Sequence, residues 1–223
     1  MTVDDVYKLV LYACAKNKSN GYISPSDFEL CINQAQTSYM DYLMGEYQKY
    51  MPMRPLSTVQ FGNNERVRQS IAPLIYGTIL SVDGQGVAPF PVYYEYTDQI
   101  WSVYGVYNIR FAQQNQLDSF VNSAIDPIEE NPVYVLNTDG YKFYPNNIGQ
   151  ANLSYVKRPP AIIWGYTLDN NNRPIYNPFS SHQPVWSDSD MLNIIVRALA
   201  IIGVNLQLGV VLQYSNEIKN QGQ

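Results

Sequence analysis

Apolar residues near the start of the chain recur at the spacing of amphipathic helices. Those of the first predicted helix follow the three- and four-residue steps of a buried stripe: Val3, Val6, Tyr7, Val10, Leu11 and Cys14. Ser24-Pro25-Ser26-Asp27 then supplies an N-cap, a proline at the first helical position and an acid at the third. We therefore predict helices over residues 3–16 and from 25 to the residues before Pro52, packed together as a hairpin.

The hydrophobic period changes from helical to that of β-strands after Pro73, where a third predicted helix over residues 63–74 ends. Short apolar or alternating segments then lie between turn residues. Residues 133–136 and 141–144 are the clearest hairpin, because Asp139-Gly140 between them supplies the positive backbone angles of a tight turn. The other predicted strands cover residues 76–82, 87–96, 100–111 and 152–158.

Residues 161–186 are rich in Asn and Pro, and we predict that they form an extended surface loop. Helical periodicity returns after Ser187-Asp188-Ser189-Asp190, a strong N-terminal cap. Residues 191–202 are apolar nearly all round, and a last helix is predicted over 206–218. A helix with so little polar surface is covered on several sides.

The order of segments, helices then strands then helices, indicates an α+β chain. We expect the N- and C-terminal helices to form a helical bundle into which an antiparallel β-domain is inserted. The expected parts are an N-terminal helical part (1–74), a β-rich inserted domain (75–160), an extended surface loop (161–186) and C-terminal helices that complete the helical part (187–223).

The composition argues against a protein that recognises a nucleic-acid sequence. Charged residues make up 15% of the 223 residues, whereas typical globular chains carry about 25%. The net charge is -5 and the 14 basic residues are scattered, so no basic patch is available to grip a phosphate backbone. The polar surface comes instead from 21 Asn, 16 Gln and 20 Tyr, whose amides and phenols hydrogen-bond without charge repulsion. Such a surface suits contact with other proteins.

The sequence also predicts a protein that is made in a cytoplasm and does not enter a membrane. Residues 1–5 carry acids where a secretory signal would carry Lys or Arg. No apolar run reaches the roughly 18 residues that a membrane span requires. Cys14 and Cys31 lie on apolar helix faces, so we expect reduced, buried thiols.

Few residues could carry catalysis or bind a metal. His182 is the only histidine, which excludes a multi-histidine metal site and leaves a single possible Ser-His-acid arrangement. An enzyme would need His182 in a cleft beside a serine and a buried acid. The adjacent acids Glu129 and Glu130 are more typical of a solvated turn than of a glycosidase pair. Residues 83–86 are glycine-rich but lack the Lys-Ser/Thr of a phosphate loop, so they predict a hairpin turn. We expect no enzyme, no cofactor and no metal.

A series of aromatic residues in the predicted β-domain leaves one alternative open. Such rings could stack on sugars or on single-stranded bases. The nucleic-acid interpretation lacks basic residues between the rings, and core or interface positions are the simpler interpretation. A carbohydrate-binding module of a phage or bacterial surface protein therefore remains the alternative function. The aromatic series is Tyr93, Tyr94, Tyr96, Trp101, Tyr104 and Tyr107.

Several segments, in their order along the chain, resemble those of a known class of viral proteins. They are residues 3–7, 21–28 and 33–36 near the start, 64–68 before the first strand, 154–160 in a late strand, and 188–206 near the end. Together they resemble virion structural proteins of tailed bacteriophages, including crAss-like and other phages of Bacteroidetes. Each motif is structural and weak alone, and the order of the motifs carries the resemblance.

The resemblance implies a neck component, a head-to-tail connector or ring protein that docks beneath the portal as a closed, often dodecameric ring. The implied partners are copies of itself, the portal protein, other neck or tail proteins, and packaged DNA that passes through the lumen without sequence-specific binding. We expect such a ring in the virion, with the C-terminal helices supplying much of the subunit or portal interface. The expected interface residues are Leu192, Ile195, Leu199, Ile202, Leu206, Leu208, Val211, Leu212 and Tyr214.

Overall fold

A computed structural model of the chain describes residues 1–14, 23–49, 58–103, 107–114, 117, 127–205, 213, 216 and 217. Helices and strands both occur in it, so the chain is an α+β protein. The described helices are α1 (Val3–Ala13), α2 (Pro25–Lys49), α3 (Thr58–Ile71) and α4 (Asp188–Asn205). The described strands are β1 (Ile75–Ser81), β2 (Val87–Ala88), β3 (Tyr94–Ser102), β4 (Arg110–Phe111), β5 (Val133–Asn137), β6 (Gly140–Tyr144), β7 (Gln150–Lys157), β8 (Tyr166–Leu168) and β9 (Pro174–Tyr176). The last helix predicted, over 206–218, lies almost wholly outside the described residues.

The chain divides into two compact units. The helical unit comprises Met1–Pro73 and Pro159–Gln223, and it contains α1 to α4 together with β8 and β9. The β unit comprises Leu74–Arg158 and contains β1 to β7. We predicted an inserted β-rich domain over 75–160, so its start differs by one residue and its end by two.

Three of the described helices begin with the same local arrangement. At α1 the Thr2 hydroxyl accepts a hydrogen bond from the Asp5 amide at 3.2 Å, and the Asp5 carboxylate accepts one from the Thr2 amide at 3.0 Å. Such a pair satisfies amides that the first helical turn leaves without partners. The serine hydroxyls at the starts of α2 and α4 accept in the same way from an aspartate amide, at 3.1 Å for Ser24 and Asp27 and at 3.2 Å for Ser187 and Asp190.

Helix α4 packs against α2 in the helical unit. Ile32 and Ala35 of α2 are buried, as are Ile194 and Ala198 of α4. Polar groups also connect the region before α4 to α2, since Trp186 Nε1 donates to Gln36 Oε1 at 3.0 Å. The predicted hairpin partner of α2, helix α1, ends at Ala13 within the described residues, and Tyr7 of α1 contacts Phe28 of α2 edge to face.

The β unit contains two sheets that share a buried core. Strands β1, β7 and β3 form an antiparallel sheet in that order, and β2, β6, β5 and β4 form the other. Leu80, Ile100 and Leu153 from the first sheet are buried in one cluster with Tyr141 and Phe143 from the second. Alternate residues of β7 face this core, namely Ala151, Leu153 and Tyr155, so β7 shows the two-residue period of half-buried β-structure.

The strand boundaries and one strand direction differ from the prediction. The expected strand over 87–96 contains only β2 and the first residues of β3, because Pro89 and Pro91 cannot donate to a ladder. The expected strand over 100–111 is divided between β3 and β4. The expected antiparallel domain also contains one parallel pair, since Arg110 and Phe111 of β4 run parallel to β5.

The predicted hairpin at residues 133–144 is present, but Gly140 has a different role from the one expected. Asn137 pairs with Gly140, so Thr138 and Asp139 form the two-residue turn and Gly140 is the first residue of β6. Gly140 has φ of 145°, and a Cβ there would lie 2.1 Å from the Ala88 carbonyl oxygen. Glycine is therefore required by the close approach of β2.

The segment 161–186 is only partly the surface loop that we predicted. It contains the antiparallel pair β8 and β9, in which Tyr166 pairs with Tyr176. It also contributes Ile162, Trp164 and Trp186 to the buried residues. Large apolar side chains at these positions hold the segment on the helical unit, which an Asn- and Pro-rich composition alone did not indicate.

Candidate interaction surface

The expected interface on α4 is largely the chain's own core. Ile195 and Leu199 are each 2% exposed and Ile202 is 3% exposed, so these side chains are covered within the single chain. Leu192, in contrast, is 50% exposed. In the single chain the three buried side chains are therefore packed in its own core and are not accessible to a neighbouring copy. Leu206, Leu208, Val211, Leu212 and Tyr214 lie outside the described residues.

A buried carboxylate joins three helices of the helical unit. Asp190 at the start of α4 accepts hydrogen bonds from Tyr39 Oη of α2 at 2.7 Å and from Ser70 Oγ of α3 at 3.0 Å. Its other oxygen accepts from Ser187 Oγ at 2.6 Å. Burial raises the pKa of Tyr39, and its hydrogen bond to Asp190 raises it further. Asp190, Tyr39 and Ser70 thus connect three helices through hydrogen bonds to one carboxylate, which indicates a structural role.

The aromatic series of the β unit does not form one continuous platform. Tyr94 faces the core, where its ring stacks on Phe90 with the centroids 4.6 Å apart. Trp101 pairs with Asn152 across β3 and β7 on the opposite face of the sheet, because its neighbour Ile100 is buried in the core. Tyr96 is half-buried, Tyr93 and Tyr107 are exposed, and Tyr104 lies outside the described residues.

The remaining chemical candidates occupy ordinary structural positions. His182 is exposed, and in the described part of the chain no hydrogen bond joins its ring to a serine or a carboxylate; its backbone pairs with Ile163. The Glu129 carboxylate accepts from the side-chain amide of Asn147. Residues 83–86 form the expected turn, in which the Asp83 carboxylate accepts from two backbone amides.

The two cysteines are buried, and no disulfide joins them. Burial raises the pKa of Cys31, so its thiol stays protonated at neutral pH. Among the residues that the structure describes, no group of three or more His, Cys, Asp or Glu side chains could hold a metal ion. The same residues include no helix long and apolar enough to cross a membrane.

The segment 165–181, which we call the hairpin arm, contains β8, β9 and a 3-10 helix at Pro178–Ser180. Trp164 anchors its base. The Trp164 indole donates to Asp4 of α1 and its backbone amide donates to Glu29 of α2, both at 3.1 Å. Its ring packs on Tyr7 at 4.5 Å and on Tyr176 of the arm at 5.8 Å. The arm is therefore fixed to α1 and α2 by several directed contacts.

Close backbone packing closes the base of the arm. A Cβ at Gly165 would lie 2.2 Å from Ser180 Oγ and 2.4 Å from the Ser180 carbonyl carbon. The Gly165 amide donates to Ser181 Oγ at 2.9 Å, and its carbonyl accepts from the Asn177 amide at 2.8 Å. These contacts require glycine and give the arm a defined shape.

The hairpin arm presents apolar side chains to solvent. Phe179 is 99% exposed, Leu168 60%, Ile175 54% and Tyr166 46%. Charged residues of the arm occur only in its tip, at Asp169 and at Arg173, whose amide donates to the Asp169 carboxylate at 2.7 Å. An ordered, apolar and uncharged surface of this kind is typical of a site that contacts another protein.

The hairpin arm was predicted as a surface loop, although its sequence carries the pattern of a hairpin. Tyr166-Thr167-Leu168 and Pro174-Ile175-Tyr176 are short apolar segments that flank the turn residues 169–173, which is the pattern of a hairpin. The high content of Asn and Pro around them drew the interpretation toward a loop.

A scan against models of known protein families finds no match, and a search of curated proteins finds no similar sequence.

Proposed function

We propose that the chain is a structural virion protein of a tailed bacteriophage that forms an oligomeric ring in the head-to-tail connector. The ring extends the portal channel and joins it to tail components. In this proposal the terminal helices form a bundle that makes the ring wall, and the β unit faces neighbouring ring or tail proteins. The protein is made in the host cytoplasm and acts by its geometry, without catalysis.

The observation that carries the proposal is the apolar surface of the hairpin arm. Leu168, Ile175 and Phe179 are all more than half exposed although the arm itself is anchored and regular. The register of β8 and β9 places Leu168 and Ile175 on opposite faces of the arm, so both faces offer a large apolar side chain to a partner protein. The order of sequence segments that resembles phage neck proteins specifies which kind of assembly we propose.

A ring of this kind follows from repeated contact between two different surfaces. When each copy presents one surface to the next, a rotation that closes produces a ring with a channel. The net charge of -5 suits a channel through which DNA slides, because basic walls would retain the phosphates. The partners in this proposal are further copies in a closed ring, often a dodecamer, the portal protein and other neck or tail proteins.

Mass photometry and negative-stain imaging of the purified full chain, alone and with a portal, test the proposal. We expect rings with a central channel. Phe179→Ser should weaken assembly without affecting folding, because the Phe179 side chain is almost fully exposed. Ile128→Ser, at a side chain that is 52% exposed in a loop, is the matched control. A chain that remains monomeric at high concentration, with and without a portal, contradicts the proposal.

A carbohydrate-binding module is the second candidate. It is favoured by the pairing of Trp101 with Asn152 on the face of the β1-β7-β3 sheet that points away from the core, next to Gln99 and Ser154. An aromatic ring beside amide and hydroxyl groups is suited to a sugar. Binding of the monomeric chain to a glycan array, lost in Trp101→Ala, would support this function. Absence of binding to any glycan would exclude it.

A further inference from the structure

The two sheets of the β unit have four edge strands, and three of them are protected. Strands β2 and β4 contain two residues each. Strand β3 is longer, but its pairing with β7 is interrupted at two places and it carries Glu95 and Asp98. Short length, bulges and charge are the usual devices that prevent an edge from pairing with another chain.

The fourth edge strand, β1, has none of these devices. Its seven residues pair with β7 in one uninterrupted register from Ile75 to Ser81. It contains no charged residue and no proline, and Tyr76 and Ile79 are 47% and 57% exposed. Within the described part of the chain no backbone hydrogen bond reaches the outer edge of β1. Every second residue of this edge therefore offers an amide and a carbonyl to an added strand.

Lys157, the last residue of β7, lies beside the first residues of β1. Lys157 Nζ lies over the Tyr76 ring at 4.9 Å and over the Tyr93 ring at 5.3 Å, and among the described residues it forms no salt bridge. Tyr93 has φ of 60°, an uncommon conformation for a bulky residue. The acceptor edge is thus uncharged along its length and has a cation beside Tyr76.

The hairpin arm offers a strand with the complementary pattern. Residues 166–168 of β8 are all exposed, and β8 pairs only with β9 in the described structure. Asp169 follows directly, so an uncharged strand ends in a carboxylate. A two-stranded sheet on its own is marginally stable, so further pairing would stabilise it.

We propose that β8 of one copy adds to the free edge of β1 in the next copy, antiparallel, and so forms a five-stranded sheet across the subunit boundary. In the antiparallel register that pairs Leu168 with Tyr76, Asp169 of the first copy lies beside Ile75 and can pair with Lys157 of the second. Parallel addition over the same three residues would place that carboxylate beside Ile79, farther along β1 from Lys157. The contact joins two different surfaces and therefore propagates around a ring. The inference rests on the proposed function and specifies its subunit interface.

Lysine substitutions in the two strands test the pairing. Ile79→Lys places a charge on the acceptor edge, and Leu168→Lys, at a side chain that is 60% exposed, places one on the donor strand. Each should weaken self-association at least tenfold in sedimentation or mass photometry. Ile128→Lys, with the same change at comparable exposure, should have no effect. Circular dichroism establishes that all three variants are folded.

Mixing the two interface variants provides a sharper test. The copy with Ile79→Lys keeps an intact donor, and the copy with Leu168→Lys keeps an intact acceptor, so the mixture should form 1:1 heterodimers while neither variant forms rings alone. A mixture that stays monomeric overturns the pairing of β8 with β1. Rings that persist in both variants overturn this inference but leave the proposed ring in place. A wild-type chain that never self-associates overturns both.

The predicted ion pair can be tested in a double-mutant cycle. Lys157→Met removes the cation, and Asp169→Asn removes the charge while keeping an oxygen for the turn amides of Asn171 and Arg173. Each should weaken association several-fold, and the double variant should be no weaker than either one. Independent, additive effects would show that these two side chains do not meet.

Discussion

Replacing Asp190 by alanine should destabilise the helical unit far more than the same change at Asp27. Both aspartates lie three residues after a serine N-cap, and each accepts a hydrogen bond from that serine hydroxyl at 2.6 Å. Asp190 also accepts from Tyr39 Oη at 2.7 Å and from Ser70 Oγ at 3.0 Å. Asp27 is exposed, whereas Asp190 is only 5% exposed.

The expected magnitudes follow from these partners. Loss of the capping interaction costs about 1 kcal/mol at either position. At Asp190 the hydroxyls of Tyr39 and Ser70 also lose a charged acceptor, and a hydrogen bond to a charged group contributes about 1.5–3 kcal/mol. These losses are not fully additive, so we expect about 3–5 kcal/mol for Asp190→Ala and about 1 kcal/mol for Asp27→Ala. Asp190→Asn, which keeps one acceptor oxygen, should lie between them.

Urea unfolding followed by tryptophan fluorescence measures this difference. Trp101 is the one tryptophan of the β unit, and Trp101→Phe leaves Trp164 and Trp186 as probes of the helical unit. The free energy of unfolding is then compared for the parent and for the aspartate variants. Equal losses for Asp190→Ala and Asp27→Ala would refute the reasoning, because the bonds from two further helices would then add nothing to the cap.

Three other changes have expected outcomes. Gly165→Ala should lower the free energy of unfolding by about 1–3 kcal/mol, because the new Cβ would lie 2.2 Å from Ser180 Oγ. Gly149→Ala is the control, since a Cβ there would have no atom within 4 Å, and it should leave the free energy of unfolding unchanged in the same urea titration. Leu199→Asp should abolish the helical circular-dichroism signal, because Leu199 is 2% exposed in the core. A variant that stays folded but no longer assembles would show instead that Leu199 lies at a subunit interface. Burial raises the pKa of Tyr134 to about 12, whereas the pKa of tyrosine in an unfolded chain is about 10. As the pH rises, the unfolded chain therefore loses this proton first. The free energy of unfolding should fall as the pH rises from about 10 toward 12. A urea midpoint that stays constant over this range would contradict the assignment.

Three helix starts could be predicted from sequence because capping is local, whereas α3 begins at Thr58 and not at residue 63 as predicted. A hydroxyl residue followed three positions later by an acid engages the same few backbone amides wherever it occurs, and the structure has this arrangement at Thr2, Ser24 and Ser187. The paired strands 133–136 and 141–144 were predictable for a similar reason, since the two strands are separated by a short turn.

The partners of an apolar face could not be predicted, because they depend on contacts distant in sequence. The apolar periodicity of α4 indicated burial correctly, but it did not distinguish packing on α2 from packing on another copy. The same limit applies to Gly140, whose neighbour Ala88 lies 52 residues away in sequence and fixes the glycine by close approach. The hairpin arm could not be predicted from its composition. Its position depends on Trp164, which contacts Asp4 and Glu29 from a distant part of the sequence.

The assembly that we propose would cover apolar groups that the single chain leaves exposed. Asp190 and Gln36 are buried in the helical unit, whereas Phe179 and Leu168 are exposed on an ordered arm. Covering a large apolar side chain contributes about 1.5–3 kcal/mol, and this gain must exceed the entropic cost of association. An arm that Trp164 already holds in place avoids part of that cost, because little further ordering is needed on binding. A pre-ordered donor and a regular, unprotected acceptor strand therefore suit a contact that persists, as the joints of a ring must.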